Sequence, residues 1–413
     1  MQILLKNITN LVQIEKNSSL KWIAGKNMAT LPSIKNAFLL IEDGLIADFG
    51  KMAHCPETAR EVIDVSGKMV FPCWCDSHTH LVFAATREQE FRDRIQGLTY
   101  QEIAERGGGI LNSARRLQES TEEELLQSTL ERLEEIKGFG TGAVEIKSGY
   151  GLTYESELKI LRVVQKLKKI SDLSIKATFL GAHAIPLQYK NRRTDYVDLV
   201  VNKMLPSIAE EGLADYIDVF CEKVAFTVAE TERIMEAGAK FGLRAKIHTN
   251  QFNSMGGIEA SVAHNALSVD HLEVLNDTEI EALQNSNTMP TLLPSAPFFI
   301  NDEHYPPARK MLQAGLPIAL ATDYNPGSTP SGNMPFVLSL ACIKMRLLPE
   351  EAINAATING AYAMELQKEL GSICRGKKAN IFVTKPIDSI SRIPYSFGSN
   401  LVEQVFIGGK SSL

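Results

Sequence analysis

Residues Thr121–Gly149 read TEEELLQSTLERLEEIKGFGTGAVEIKSG, a helix written directly in front of a strand. Thr121 and Glu124 have the spacing of a capping box. Leu126, Leu130 and Leu133 form a stripe at helical period, and Gly138 is placed to stop the helix. The run GAVEIKSG that follows is short, apolar and β-branched, as a buried strand is. SIKATFLGAH, YIDVFCE, RAKIHTN, LSVDHLE, TMPTLLP and PIALATD are further runs of this kind, and TVAETERIMEAGAKFG and NDTEIEALQNS repeat the helical pattern. With the run MVFPCWC before His78, eight strand-like units stand in series. Strands alternating with helices pair in parallel, so eight of them predict an α/β fold, a (β/α)8 TIM-like barrel with its chemistry at the C-terminal strand ends.

The two ends of the chain read differently. FLLIEDGLIADFG carries Asp43-Gly44 between two apolar runs, a hairpin signal. ANIFVTKP and NLVEQVFIGGK are also strand-like. We expect residues 1–69 with 365–413 to form one small composite β-sandwich domain, and residues 70–364 to form the barrel.

Composition narrows the class. Among 413 residues, 44% are hydrophobic and 22% charged, the usual balance of a globular protein with a sizeable core. The net charge of -6 argues against a nucleic-acid partner. No apolar run reaches the ~18 residues of a membrane span. The N-terminal MQILLKNITNLVQIEKNSS alternates apolar and polar residues, so no secretion leader is expected. Six cysteines in such a chain read as reduced thiols in a cytoplasm. Cys73 and Cys75 form a C-x-C in an apolar setting, better suited to a core than to a metal.

The strand ends hold the polar residues. The first strand ends in His78-Thr79-His80, the third in His183, the fifth in His248, the sixth in His271 and the eighth in Asp323. His54, His264 and His304 fall in turn or helix contexts and read as surface residues. One histidine at a strand end is ordinarily a hydrogen-bonded core residue. Five on one barrel face would leave imidazole lone pairs unpaired, which is costly in a dry site. A divalent metal resolves that conflict, because zinc takes His nitrogens and Asp oxygens and a catalytic site keeps one position for water. Two histidines one residue apart on a strand point the same way and can clamp one ion.

The segments DSHTHLVF, HTNQ, SVDHLE and LATDYNPGS resemble the metal site of the amidohydrolase superfamily. That resemblance implies one metal, zinc or iron, on His78, His80, His248 and Asp323, with His271 lining the site. Dinuclear members add a carbamylated lysine at the end of strand four. Here that strand ends Phe220-Cys221-Glu222, with Lys223 just beyond. Within the superfamily, HTHLVFAATREQEFRDR, LTYQEIAERGGGI, EIKSGYGL, GAHAIP, NQFNSMGG and DYNPGS are similar to the imidazolonepropionase family, and the match runs through the whole barrel. The resemblance implies hydrolysis of the ring amide of 4-imidazolone-5-propanoate to N-formimidoyl-L-glutamate, a step of histidine degradation. It places Arg87, Tyr150, His183, Gln251, Asn325, Gly327 and Ser328 on the substrate, with Tyr100 as an added contact.

On this reading a metal-activated water attacks the ring carbonyl, His271 supports the oxyanion and Asp323 relays the proton. Arg87 suits the propanoate, since a guanidinium pairs with a carboxylate through two parallel hydrogen bonds. Gln251 stands where related deaminases, and some imidazolonepropionases, carry Glu, and a carboxamide cannot shuttle a proton near neutral pH. This weighs against the alternative of a metal-dependent aminohydrolase acting on a purine or pyrimidine. A non-catalytic scaffold would be expected to lose ligands, and all four are present. Cys73 stands where the motif usually has Gly. The expected partner is a small-molecule substrate, with no membrane; a homodimer is compatible with the sequence.

Overall fold

The chain begins and ends in the same sheet. In the computed structural model, which describes residues 2–98, 102 and 108–412, this sheet opens with β1 (Gln2–Val12), β2 (Ser33–Glu42), β3 (Leu45–Lys51), β4 (Glu61–Asp64) and β5 (Met69–Pro72). Asp43 (φ 49°) and Gly44 (φ 84°) turn β2 into β3, both left-handed as a tight two-residue hairpin requires. The barrel strands follow: β6 (Trp74–Thr79), β7 (Thr141–Lys147), β8 (Ser174–Ala182), β9 (Tyr216–Cys221), β10 (Arg244–Thr249), β11 (Ser268–His271), β12 (Met289–Leu292) and β13 (Ala319–Leu320). Then β14 (Ile381–Thr384), β15 (Val402–Ile407) and β16 (Lys410–Ser411) return to the first sheet, where β14 pairs antiparallel with β5.

The terminal strands make a single eight-stranded sheet of mixed direction. Ile3, Leu5, Leu39, Ile41, Val383 and Phe406 meet in its core. Backbone bonds from Ile46 to Lys377 and from Gly376 to Ile46 tie β3 to the segment before β14. Beneath it lies a buried ion pair joining the two ends of the chain. Lys377 Nζ sits 3.1 Å from Glu15 Oε2 and donates to Ser372 Oγ and the carbonyls of Gln367 and Leu370.

The barrel is parallel throughout and ordered β6 to β13. All seven residues of β7 are buried, as expected where helices cover one face and the barrel interior the other. Its last seam is made by the site residues themselves. Asp323 N donates to His78 O (3.0 Å) and His80 N donates to Tyr324 O (2.9 Å).

Helix Glu122–Gly138 starts at the expected box: Thr121 Oγ1 accepts from Glu124 N, and Glu124 Oε2 accepts from Thr121 N. Two details differ from the sequence reading. The buried face runs through Leu125, Thr129, Leu133 and Ile136, while Leu126 and Leu130 are only partly buried. The left-handed residue after the helix is Gly140 (φ 91°), not Gly138, because the chain makes one more turn before entering β7. A side chain at Gly140 would meet Phe382 and Trp74. Among the described residues, no helix is long and apolar enough to cross a membrane.

Replacing Lys377 by Met would leave Glu15 buried without its cation, and removal of one partner of a buried pair costs about 3–5 kcal/mol. We expect a lower thermal midpoint with unchanged activity per folded molecule, measured by calorimetry alongside active-site titration.

Candidate metal centre and active site

The strand ends deliver four imidazoles and a carboxylate to one point. His78 Nε2 and His80 Nε2 each lie 3.6 Å from Asp323 Oδ1, and His80 Nε2 lies 3.4 Å from His248 Nε2. His78, His248 and His271 also bring ring nitrogens within 4.8 Å of one another. His78 Nε2 is buried with no hydrogen-bond partner among the described residues. Ligands each ~2.1 Å from a tetrahedral zinc stand about 3.4 Å apart, so these spacings suit a shared cation better than direct hydrogen bonds. The donor set fits one divalent metal.

What aims the imidazoles is a network that motif reading missed. Asp270 Oδ2 lies 2.6 Å from His78 Nδ1, and Asp218 Oδ2 lies 2.9 Å from His248 Nδ1. At His78 the carboxylate accepts the Nδ1 proton and leaves the Nε2 lone pair for a metal, whereas at His248 the Asp218 oxygen is at ion-pair distance without hydrogen-bond alignment. Lys147 Nζ reaches both carboxylates, at 2.8 Å from Asp218 and 3.4 Å from Asp270, and also bonds Glu145 at 2.7 Å. Glu145 in turn bonds Lys246, whose ammonium donates to the carbonyls of Ser77 and Ala363. All five side chains are fully buried. The signal was present in the sequence, as charged residues inside apolar runs: Glu145 and Lys147 in GAVEIKSG, Asp218 in YIDVFCE, Lys246 in RAKIHTN and Asp270 in LSVDHLE.

Burial, reinforced by Lys147 and the neighbouring rings, holds His78 and His248 neutral; for His80, burial acts with His183 and His248. Burial also lowers His183 to about 4. His271 goes the other way. Burial opposes its charge, but Glu273, 3.4 Å from its Nδ1, together with Asp323 and Asp270, raises its pKa. Burial lifts Asp323 to about 6, against the pull of His271 and hydrogen bonds from Asn325 and Ser328. His271 (φ 91°), Leu272 (φ 68°) and Asp323 (φ 57°) are all left-handed, a strain of about 1–3 kcal/mol each that sits at the site.

A half-open cavity of about 320 Å³, its solvent-filled mouth included, opens above these residues. Tyr150, His183, Gln251, Asn325 and Ser328 line it together with His80, His248, His271 and Asp323. Phe220, not singled out in the sequence, closes one wall and lies against His183 and His248. Arg87 holds its guanidinium 5.7 Å from the Tyr150 ring; Nε donates to Ser113 Oγ, Nη1 lies 3.9 Å from Glu90 Oε2, and Nη2 is buried with no partner among the described residues. Gly327 is small because a Cβ there would come within 2.7 Å of Arg87 Nη1. Asn325 Oδ1 accepts from Gly327 N and Ser328 N, fixing that loop. Ser328 Oγ reaches Asp323 Oδ2 at 3.1 Å. Glu222, at the end of β9, accepts from Phe252 N and Asn253 N and pins the loop that carries Gln251. Lys223 is exposed, away from the ligand cluster. Tyr100 lies outside the described residues. Cys73 and Cys75 are buried among apolar side chains.

Residues 69–411 match the model of the amidohydrolase family. An imidazolonepropionase of Flavobacterium johnsoniae is 61% identical over 408 residues, covering 98% of this chain and 99% of the relative. One from Alkaliphilus metalliredigens is 38% identical, covering 99% and 97%. Among solved structures, the fold is shared with a zinc-bound adenosine deaminase of Xanthomonas campestris (TM-score 0.72, 15% identity, 100% of this chain and 92% of that one). It is shared equally with E. coli guanine deaminase (TM-score 0.73, 14% identity, 100% and 99%).

Two results should follow from this geometry. Asp270→Asn should keep the fold but weaken metal binding roughly 10–100-fold, as measured by chelator competition. A proton on Asp323 competes with the metal, and its carboxyl titrates near 6 rather than at an ordinary carboxylate's ~3.9. Metal affinity should therefore hold at neutral pH and begin to fall as pH drops through about 6; retention down to an ordinary carboxylate range would contradict the assignment.

Proposed function

The chain belongs to the amidohydrolase family and, at 58–61% identity over nearly its whole length, to the imidazolonepropionases, and from that premise we propose how its site works. The enzyme is a metal-dependent hydrolase that opens the ring amide of 4-imidazolone-5-propanoate to N-formimidoyl-L-glutamate in histidine degradation. The structural observation that carries this reading is Arg87, whose buried Nη2 has no partner among the described residues and whose guanidinium lies over Tyr150 in the wall of a polar cavity. A guanidinium arm left open there is matched by a substrate carboxylate, such as the propanoate.

His78, His80, His248 and Asp323 would hold the metal, zinc or iron, both of which accept imidazole and carboxylate ligands. When bound, such an ion activates water and polarises a carbonyl.

The remaining work falls to side chains. Arg87 anchors the propanoate, while Tyr150, His183 and Gln251 hold the ring, and the loop of Asn325, Gly327 and Ser328 closes against it. His183, neutral through burial, serves as a hydrogen-bonding wall rather than a charge. The imidazole of His271, biased toward its cation by Glu273, donates to the carbonyl oxygen as negative charge gathers there. Asp323 takes a proton from the attacking water and returns it to the ring nitrogen as the carbon–nitrogen bond breaks. Its Oδ1 faces the imidazoles of His78 and His80 while its Oδ2 lies toward Ser328, so one oxygen can take the proton while the other stays with the ligand cluster. Water adds across the amide: oxygen to carbon, one proton to nitrogen, the other released from the new carboxylic acid. Gln251 carries no proton in this scheme, which places transfer on Asp323. We place the reaction in the cytoplasm, with the small acid as sole substrate, no nucleic-acid or membrane partner, and a homodimer as the candidate assembly.

The test is an assay with imidazolone propanoate, following loss of the ring's ultraviolet absorbance. Turnover should be present in the metal-replete enzyme, fall after chelation and return on adding zinc or iron. A metal-replete protein inert to this substrate that releases ammonia from a purine or pyrimidine would overturn the reading.

A further inference from the structure

The loop bearing Tyr150 is built in an unusual way. Between β7 and helix Tyr154–Ile170 the chain reads Ser148-Gly149-Tyr150-Gly151-Leu152-Thr153. Gly149 (φ 109°) and Leu152 (φ 57°) are both left-handed. Ser148 N donates to Thr178 O of β8, and Gln118 donates to Gly151 O, but the N–H groups of Gly149, Gly151 and Leu152 all find their acceptor in one side chain. Glu157, in the first turns of the helix, folds its carboxylate back over the helix N-terminus into the loop. Oε2 accepts from Gly149 N at 3.0 Å, and Oε1 accepts from Gly151 N and Leu152 N, each at 2.8 Å. Glu157 is fully buried, so water does not compete for these donors.

The two amides flanking Tyr150 are thus tied to a single carboxylate. The Tyr150 ring is 5.8 Å from that of His80 and 5.5 Å from that of His183, with the Arg87 guanidinium over it. The carbonyl of Gly149, whose N–H Glu157 holds, lies 3.0 Å from His183 Nδ1. A small movement of the loop would move Tyr150 and release His183 together. The loop has little slack, since a Cβ on Gly151 would come within 2.6 Å of the Glu157 backbone.

We propose that Glu157 is a positioning residue for substrate binding, acting through the Gly149–Leu152 backbone on Tyr150 and His183. It touches no metal ligand by hydrogen bond and does not line the cavity. The proposal rests on the assignment of Tyr150 and His183 to substrate contact made above. The shape of the Glu157 side chain is nearly preserved in Gln, but its amide group would face a backbone N–H that needs an acceptor.

Glu157→Gln in the metal-replete, full-length enzyme should therefore raise KM for imidazolone propanoate roughly tenfold, as loss of a hydrogen bond to a charged group does. It should change kcat far less and leave metal stoichiometry intact. Combined with Tyr150→Ala, its effect on kcat/KM should be smaller than the product of the two single effects, because both changes act on one wall of the cavity. Effects that multiply, or loss of metal in step with activity, would overturn the proposal. Should Glu157→Gln fail to fold, amide exchange in the unaltered enzyme decides. The N–H groups of Gly149, Gly151 and Leu152 should exchange as slowly as those of β7, and exchange at the rate of an open loop would overturn it. That measurement needs no substrate. An unaltered enzyme inert toward the imidazolone would count against the proposed reaction, leaving the exchange result to judge Glu157.

Discussion

Two carboxylates facing imidazole Nδ1 atoms, and one ammonium shared between them, set the geometry on which the rest of this site depends. Asp270 addresses His78, Asp218 addresses His248, and Lys147 joins both. The arrangement spans β6, β7, β9, β10 and β11 of the barrel, strands whose inward residues are brought to one level by the parallel register. His248, for example, stands beside Asp270 on one side and Phe220 on the other. With Glu145 and Lys246 included, three carboxylates face two ammonium groups in a fully buried layer. Such a layer is expensive to desolvate, and its surplus negative charge is suited to a cation above it. Stability is not its evident benefit. It fixes which imidazole nitrogen faces the cavity.

The same device recurs above the proposed metal ligands in milder form. Loops that carry the proposed substrate contacts are each held by one side-chain acceptor that collects backbone N–H groups. Glu157 holds the Tyr150 loop, Glu222 the Gln251 loop and Asn325 the loop through Ser328. Loops carry function readily only when a rigid scaffold positions them. Here the scaffold extends into each loop through a buried oxygen, so the cavity walls are as defined as its floor.

Much of this was legible before any coordinates. Helix-strand alternation gave eight parallel strands because the apolar runs are short and the intervening helices have clear caps at Thr121, Thr227 and Asn276. The histidines at strand ends could be grouped because a barrel sends those ends to one face. What sequence could not place were partners distant in the chain. Lys147 and Asp270 are 3.4 Å apart only because the five strands from β7 to β11 curve, and nothing local says so. Leu126 and Leu130 fit the helical period as well as Leu125 does; the rotation that buries Leu125 and Ile136 is set by the barrel beneath. Phe220 and Glu222 read only as the end of strand four, with no role of their own. Each owes its role to a neighbour on β10 or in the loop that follows.

The central claim is that Asp270 fixes the tautomer of His78 before any metal arrives. Nitrogen-15 NMR of the imidazoles in metal-stripped, folded protein tests it most directly. The account predicts that the His78 ring is neutral and carries its proton on Nδ1, with Nε2 showing the shift of a bare lone pair. A proton on Nε2 of His78, or rapid exchange between its two nitrogens, would contradict it.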